Sequence, residues 1–346
     1  MSGEIQSSIN FAAVAEADPA CLDDKFRDGV VAQMNISKDA RGLLKLAETS
    51  VATLVGKEAD LTVEEKWAVI RDCGILIGSL IRNGVNPIVE VNGLGRLSSN
   101  IGNETRMPPY HTVFHYTTVN PRGERERSFT GSGQEKIFIE QVRIGTDSFM
   151  ESANQLFPVF TGDVGLETQE AIDRIAMASI SLNIGIATVP RVMKEVGAEY
   201  FARVMRPFFN QMEIGGEVYD APGGAQMPLL AVDHVLWASD TAESDYVLFR
   251  EKNLKYLPPF IRENILKTLG WPSIKSKVDS GGLMNNPVGK SLDQIITRLL
   301  SFRKAHEKLA RDSFAYRSSD ALGSGGATPD LLQDLSRITR IQKGEL

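Results

Sequence analysis

Cysteine, tryptophan and histidine are scarce in this chain, with 2, 3 and 4 copies among 346 residues. Two cysteines, Cys21 and Cys73, are too few for a disulfide framework or a thiolate-rich zinc site, so a reducing compartment suits the sequence. No uninterrupted run of about 18 apolar residues is present to cross a bilayer. The N-terminal MSGEIQSSINFAAVAEADPA lacks the basic start and unbroken apolar stretch of a secretory signal. A soluble, cytoplasmic protein is the expectation. A net charge of −6 argues against nucleic acid or an anionic membrane as the main partner, since both reward a basic surface. Internal repeats, low-complexity blocks, a P-loop, a dinucleotide fingerprint and a nucleophile elbow are all missing. The apolar fraction of 42% is enough for the core of one large domain or two unequal lobes.

What the chain does have is helical periodicity, and the expected fold class is all-α. Thr62 and Glu65 form a capping box, after which Trp67, Ile70, Cys73, Ile77, Leu80 and Ile81 recur at helical spacing until Gly84. A second amphipathic helix is predicted over 40–55. Residues 85–133 are rich in Gly, Pro and Asn and read as an irregular connector with one β-like run, HTVFHYTTV. The lobe boundary falls at its end, giving an N-terminal part over 1–133 and a helical part over 134–346. Further helices are predicted over 135–156, 168–188, 198–209, 227–238, 244–256 and 260–269, with Pro258-Pro259 separating the last two. The last long helix is expected to begin at a capping box, Ser291-Leu292-Asp293-Gln294. Its apolar stripe runs Leu292, Ile295, Ile296, Leu299, Phe302, His306 and Leu309.

The four histidines are His111, His115, His234 and His306. On an apolar helix face, His306 has two readings. It is a core imidazole satisfied by a neighbour, or it is one axial ligand of a haem iron whose other face stays open for O2. His306-Glu307 lacks the second histidine of a zinc HExxH motif, because residue 310 is Ala. His111 and His115 are four apart, but their β-branched surroundings favour extended chain over a metal-binding helix face. Two glycine loops, Ala221 to Gln226 and Gly323 to Gly326, can bring backbone N–H groups to an anion. A bend before Pro207 would bring the ring of Phe201 and the guanidinium of Arg206 to one pocket; the alternative for Arg206 is a surface ion pair.

Six blocks in order along nearly the whole chain carry a more specific signal. They are AVIRDCGILIGSLIRNGVNP, HYTTVNPRGERERSFTG, VMRPFFNQMEIGGEVYDAPGGAQMPLLAVDHVLWAS, YLPPFIREN, LLSFRKAH and GSGGATPDLL. Together they resemble the haem dioxygenase superfamily of indoleamine and tryptophan 2,3-dioxygenases, and within it the monodechloroaminopyrrolnitrin synthase branch. The resemblance implies an indoleamine 2,3-dioxygenase-like fold, with a small N-terminal lobe over the distal side of haem b and a larger helical lobe supplying the proximal ligand. It implies His306 as that ligand, Arg206 and Phe201 as the substrate-carboxylate arginine and its aromatic neighbour, and Gly224 and Ala225 as the loop beside bound oxygen. Ser324 falls in the loop near the substrate's amino-acid group, Gly325 beside it is a candidate haem-binding position, and His111 or His115 is a candidate distal group. The implied reaction is oxidation of L-tryptophan or a substituted indole amino acid by O2 at indole C2–C3, with ring cleavage or rearrangement. A reductant would keep the iron ferrous, and a homodimer is compatible with the resemblance. One departure is Phe314, where the synthase branch has tyrosine, with Tyr316 close by. Two other functions use the same scaffold: a haem sensor or carrier without catalysis, and a haem hydroxylase of a phenol such as tyrosine.

Overall fold

A computed structural model describes residues 9–316 and 329–345. Helices α1 (Phe11–Glu16), α2 (Asp23–Arg27), α3 (Val30–Ser37) and α4 (Ala40–Leu54) lead into α5 (Val63–Arg82). The capping box that starts α5 is formed: the Glu65 N–H reaches Thr62 Oγ1 at 3.2 Å, and Glu65 Oε2 accepts the Thr62 N–H at 2.8 Å. Short α6 (Pro87–Glu90) and α7 (Leu94–Thr105) follow, then the long pair α8 (Gly133–Thr161) and α9 (Gln169–Glu195), then α10 (Ala198–Tyr200). The remainder comprises α11 (Leu229–Asp233), α12 (Ser244–Leu254), α13 (Pro259–Lys267), α14 (Ile274–Ser280), α15 (Pro287–Phe314) and α16 (Pro329–Lys343). The chain is 71% helical, which makes it all-α as expected. Among the described residues the one sheet is a hairpin of β1 (Met212–Ile214) and β2 (Glu217–Tyr219). Gly215 and Gly216 close it, with φ of +64° and +83° that side chains with a Cβ rarely adopt.

Several expectations are corrected. The 85–133 segment is not an unbroken connector, because it holds α6 and α7, and α7 buries Leu94, Leu97 and Ile101. Its glycines mark close approach rather than a loop: a Cβ at Gly102 would stand 3.0 Å from the Met107 carbonyl oxygen. HTVFHYTTV is not extended; Phe114–Thr118 form a π-helical turn. There the Thr117 hydroxyl donates to the Val113 carbonyl at 2.7 Å, and the Thr112 N–H donates to His115 Nδ1 at 3.2 Å. The helix predicted over 198–209 is broken into α10, a π turn at Phe201–Met205 and a 3₁₀ turn at Arg206–Phe208, where Pro207 supplies no N–H. That predicted over 227–238 is α11 followed by a π turn at His234–Ala238. Helix α15 starts at Pro287, so Ser291 to Gln294 lie inside it rather than at its cap.

Helix α9 is packed between α8 and α15, and α16 lies along α15. By length and mean hydropathy α9 could cross a membrane, although it contains no unbroken apolar run. Gly185 lets it approach α8: a Cβ there would fall 2.5 Å from the Phe149 ring, which itself meets Phe302 edge-on at 5.0 Å. This contact belongs to one apolar cluster, and a second surrounds α4, α5 and α7. Buried polar groups tie the two together. Glu135, at the start of α8, accepts from Tyr116 Oη (2.8 Å), the Phe129 N–H (2.7 Å) and the Thr130 N–H (2.6 Å). Asp72 accepts from Arg71 Nε at 2.7 Å and Arg127 Nε at 3.0 Å. Burial alone would raise the Asp72 pKa, but the two guanidinium groups outweigh it and hold the carboxyl below its ordinary value.

Replacing Glu135 with Ala strands four donors at once, the Tyr116 and Thr130 hydroxyls and the Phe129 and Thr130 N–H groups, and a charged acceptor bond is worth about 1.5–3 kcal/mol. Urea unfolding of Glu135→Ala, followed by circular dichroism, should show a loss of about 3–5 kcal/mol. Glu135→Gln, which keeps one acceptor oxygen, should lose roughly half of that.

Candidate functional site

The principal cavity among the described residues has a volume of about 210 Å³. A single water needs only about 10–15 Å³, so the space suits an organic group rather than one solvent molecule. Its walls come from separate parts of the chain. Val113 and Tyr116 stand on one side, Val189 and Val192 of α9 on another, and Phe302, Arg303, His306 and Phe314 of α15 on a third. Pro222 to Ala225 cross it as a glycine loop.

His306 owes its place to the α15 stripe, whose preceding members Leu292, Ile295, Ile296, Leu299 and Phe302 are buried. Its ring stacks on Phe302, with centroids 5.7 Å apart and planes 23° apart. Neither ring nitrogen has a hydrogen-bond partner among the described residues. By surface area the ring is only partly buried, because one edge borders the cavity, which is itself partly open. Desolvation nevertheless lowers its pKa, and the neutral ring keeps a lone pair for a metal. The glycine loop comes closest at Gly224, where a Cβ would lie 3.1 Å from His306 Cε1 and 3.2 Å from Nε2. Gln226 fixes this loop: its Nε2 donates to the Ala221 carbonyl (2.9 Å), and its Oε1 accepts the Val113 N–H (2.9 Å).

A buried ion pair forms the polar part of the wall. Arg303 Nη2 donates to Asp233 Oδ2, and Nη1 donates to the Leu335 carbonyl at 3.0 Å. Asp233 also accepts from Trp237 Nε1 (3.1 Å) and Tyr246 Oη (3.2 Å). Burial raises the Asp233 pKa, a rise that Arg303 opposes without cancelling. The sequence reading missed this pair. Arg303 precedes His306 by three residues, one helical turn on the same face, so the spacing in SFRKAH already carried the signal.

Phe201, Gly224, Ala225 and His306 all line the cavity. Arg206 does not reach the lining; its guanidinium is buried, with Nη1 donating to the Phe209 carbonyl and, at 3.4 Å, to Asn210 Oδ1. It is therefore not a surface side chain. His111 and His115 are also absent from the lining: both are fully buried, and the His115 ring lies 4.9 Å from that of Trp67. His234 bonds Thr268 Oγ1 through Nε2 at 2.8 Å and is a core imidazole. Phe314 faces the cavity, whereas Tyr316 is exposed beneath the Arg203 guanidinium, so no hydroxyl at 314 enters the wall. Ser324 and Gly325 lie outside the described residues.

A family model described as Monodechloroaminopyrrolnitrin synthase PrnB matches residues 28–276, well over half of the chain. The chain belongs to this family. Its members are haem-dependent oxidoreductases, which agrees with the expected superfamily. The matched stretch includes Phe201, Arg206, Gly224, Ala225 and Asp233 but ends before α15, so Arg303 and His306 stand on geometry.

Buried neutral histidines make stability depend on pH. Desolvation pushes His115 and His234 down to about 3 and His111 well below its ordinary value. The unfolded chain takes up these protons near pH 6.5, so stability is full above that pH and is lost as pH falls toward 3. Glu126, which burial raises to about 7, and Asp147 and Asp233, which burial raises above their ordinary value, act in the opposite sense and offset part of this. Unfolding free energy should fall by at least about 2 kcal/mol between pH 6.5 and 4.5, with net proton uptake on unfolding measurable by calorimetry in two buffers.

Proposed function

We propose that this chain is a haem b-dependent oxygenase acting on L-tryptophan or a substituted indole amino acid, with His306 as the one protein ligand to the iron. The observation that carries this reading is a neutral imidazole, without a hydrogen-bond partner among the described residues, facing an apolar cavity beside a glycine loop. Of the groups present, the neutral imidazole suits an iron and the apolar walls suit a porphyrin, while the Gly224 loop, which lies against Nε2, would have to move aside to admit one. Bound in this way, haem supplies an iron with an open position for O2, kept ferrous by an external reductant.

The protein's own part is positioning and exclusion of water. Phe302 stacks on His306 and sets the plane of its ring. The cavity wall of Val113, Val189, Val192, Phe209 and Leu309 keeps solvent from the reacting indole. Phe201, packed against Phe138 at 5.3 Å, offers a ring face to the indole. Arg206, which lies outside the cavity lining, would have to turn toward the cavity to take the substrate carboxylate, with the Ser324 loop holding the ammonium group. The N-terminal part over 1–133 contributes Val113 and Tyr116, which suits it to cover the distal side. The family's name is that of a synthase, which favours rearrangement beside ring cleavage as the outcome. Two free cysteines, one exposed and one buried, agree with a reducing compartment.

The test is the spectrum of haem-replete protein. The wild type should show a Soret band that shifts with L-tryptophan, and His306→Ala should lose haem on gel filtration while keeping its far-ultraviolet circular dichroism. Retention of haem by His306→Ala at the wild-type level would place the ligand elsewhere. Product mass then separates the chemistries: two oxygen atoms gained for ring cleavage, one for hydroxylation, and reversible O2 binding without product for a sensor. Gly224→Val should weaken haem retention by about tenfold, since its methyls would press on the His306 ring.

A further inference from the structure

Helix α9 has two faces. Ile175, Ala178, Leu182, Gly185 and Val189 are buried toward α8 and α15. On the other side Met177, Ile180 and Ile184 are 49%, 54% and 51% exposed. They follow one another by three and four residues, so they form a single stripe, and no charged residue occurs between Arg174 and Arg191. Isolated exposed apolar side chains are ordinary, but a continuous stripe on a helix signals a contact surface.

The charged ends of the helix say what covers it. Glu170 and Asp173 stand at the N-terminal end, and Arg191 and Lys194 at the C-terminal end. We propose that this face is a two-fold interface in which α9 packs antiparallel against α9 of a second copy of the chain. A two-fold axis centred between Ile180 and Ile184 sets Ile180 against Ile184 of the second copy and Met177 against its Ala187. The same register brings Asp173 to Arg191 of the second copy and Glu170 to its Lys194, each pair occurring twice. A parallel arrangement would instead oppose Asp173 to itself. The existing pairs Glu170–Arg174 and Arg191–Glu195, at 2.9 Å each, are surface pairs of small worth, so exchanging them across the interface costs little. A membrane surface fits less well, because basic residues flank the stripe at one end only and the chain carries a net charge of −6. A single helix pair lies at the small end of stable interfaces, so a reversible dimer with a dissociation constant in roughly the micromolar range is expected.

Sedimentation velocity on the full chain from about 1 to 100 µM tests this. The wild type should pass from monomer to dimer across that range. Ile180→Glu, an exposed site that should leave the circular dichroism unchanged, should remain monomeric throughout. Asp173→Arg and Arg191→Asp alone should each weaken dimerisation by about threefold or more, and the double variant should restore it, a rescue that only the antiparallel register provides. A wild type that is monomeric at 100 µM, a dimer untouched by Ile180→Glu, or a double variant weaker than both single ones would overturn the proposal. So would Ile180-dependent binding to phosphatidylcholine vesicles by a chain that does not self-associate.

Discussion

An imidazole inside a protein ordinarily satisfies its nitrogens on neighbours or water, and one that does so is a structural side chain. No described residue supplies the His306 ring with a hydrogen-bond partner. The residues that precede it on α15 are apolar on the same face, Phe302 covers one side of the ring, and the glycine loop opposite brings backbone without side chain. The cost of burying charge keeps the ring neutral. That single constraint orders the neighbourhood. The only ion pair on the cavity wall among the described residues, Arg303–Asp233, is already neutralised and is braced by Trp237, Tyr246 and the Leu335 carbonyl, so it adds polarity without adding net charge.

Three π turns contribute to the same place. Tyr116 lies on the first and Phe201 opens the second; both border the cavity. Asp233 immediately precedes the third. Such turns cost regular hydrogen bonding and persist where a side chain has to be re-aimed. Each is held from outside. Arg143 Nε donates to the Thr117 carbonyl at 2.8 Å and Glu135 accepts from Tyr116, so the first turn is pinned to α8 at two points. The second turn runs directly into Pro207 and the buried Arg206. The wider segment around the first turn is anchored through Arg71, Asp72 and Arg127, with Arg71 also donating to the Val14 and Ala17 carbonyls at 2.8 Å. The distance from an N-terminal ion cluster to the cavity is thus spanned by hydrogen bonds that each satisfy a buried group.

What could be read from the sequence follows from which signals are local. The capping box at Thr62 and the stripe through His306 depend on residues one or two turns apart, and both are present as expected. The π turn at Phe114–Thr118 was hidden because Thr112, Val113, Thr117 and Thr118 favour strands, while their hydroxyl bonds to the turn cannot be seen in composition. Helix α7 was hidden because Gly95 and Gly102 serve close packing against Ile88 and against Met107 to Pro109, which a reader of sequence takes for loop chemistry. The Arg303–Asp233 pair joins residues from two distant helices; only one half of it, the turn-spacing of Arg303 to His306, is written locally. In the sequence Gln226 is only the end of a glycine loop, yet its amide ties that loop to Val113.

Helix α9 connects the cavity to the outer surface. Val189 and Val192 line the space beneath His306's neighbours, while Ile180 and Ile184 face outward from the same rod. A helix is about 10–12 Å across with its side chains, so a copy docked on the outer stripe would stand one helix thickness from the cavity. Well-packed interiors transmit displacement rather than absorb it. The Gly185–Phe149–Phe302 contact gives that transmission a route: moving α9 inward presses Phe149, Phe149 meets Phe302 edge-on, and Phe302 is the ring on which His306 stacks. At Gly185 α9 and α8 have little room to give, since a single added carbon there would fall 2.5 Å from the Phe149 ring. The ring on which the imidazole stacks is thus tied by packing to the buried face of α9, opposite the face where the second copy would bind.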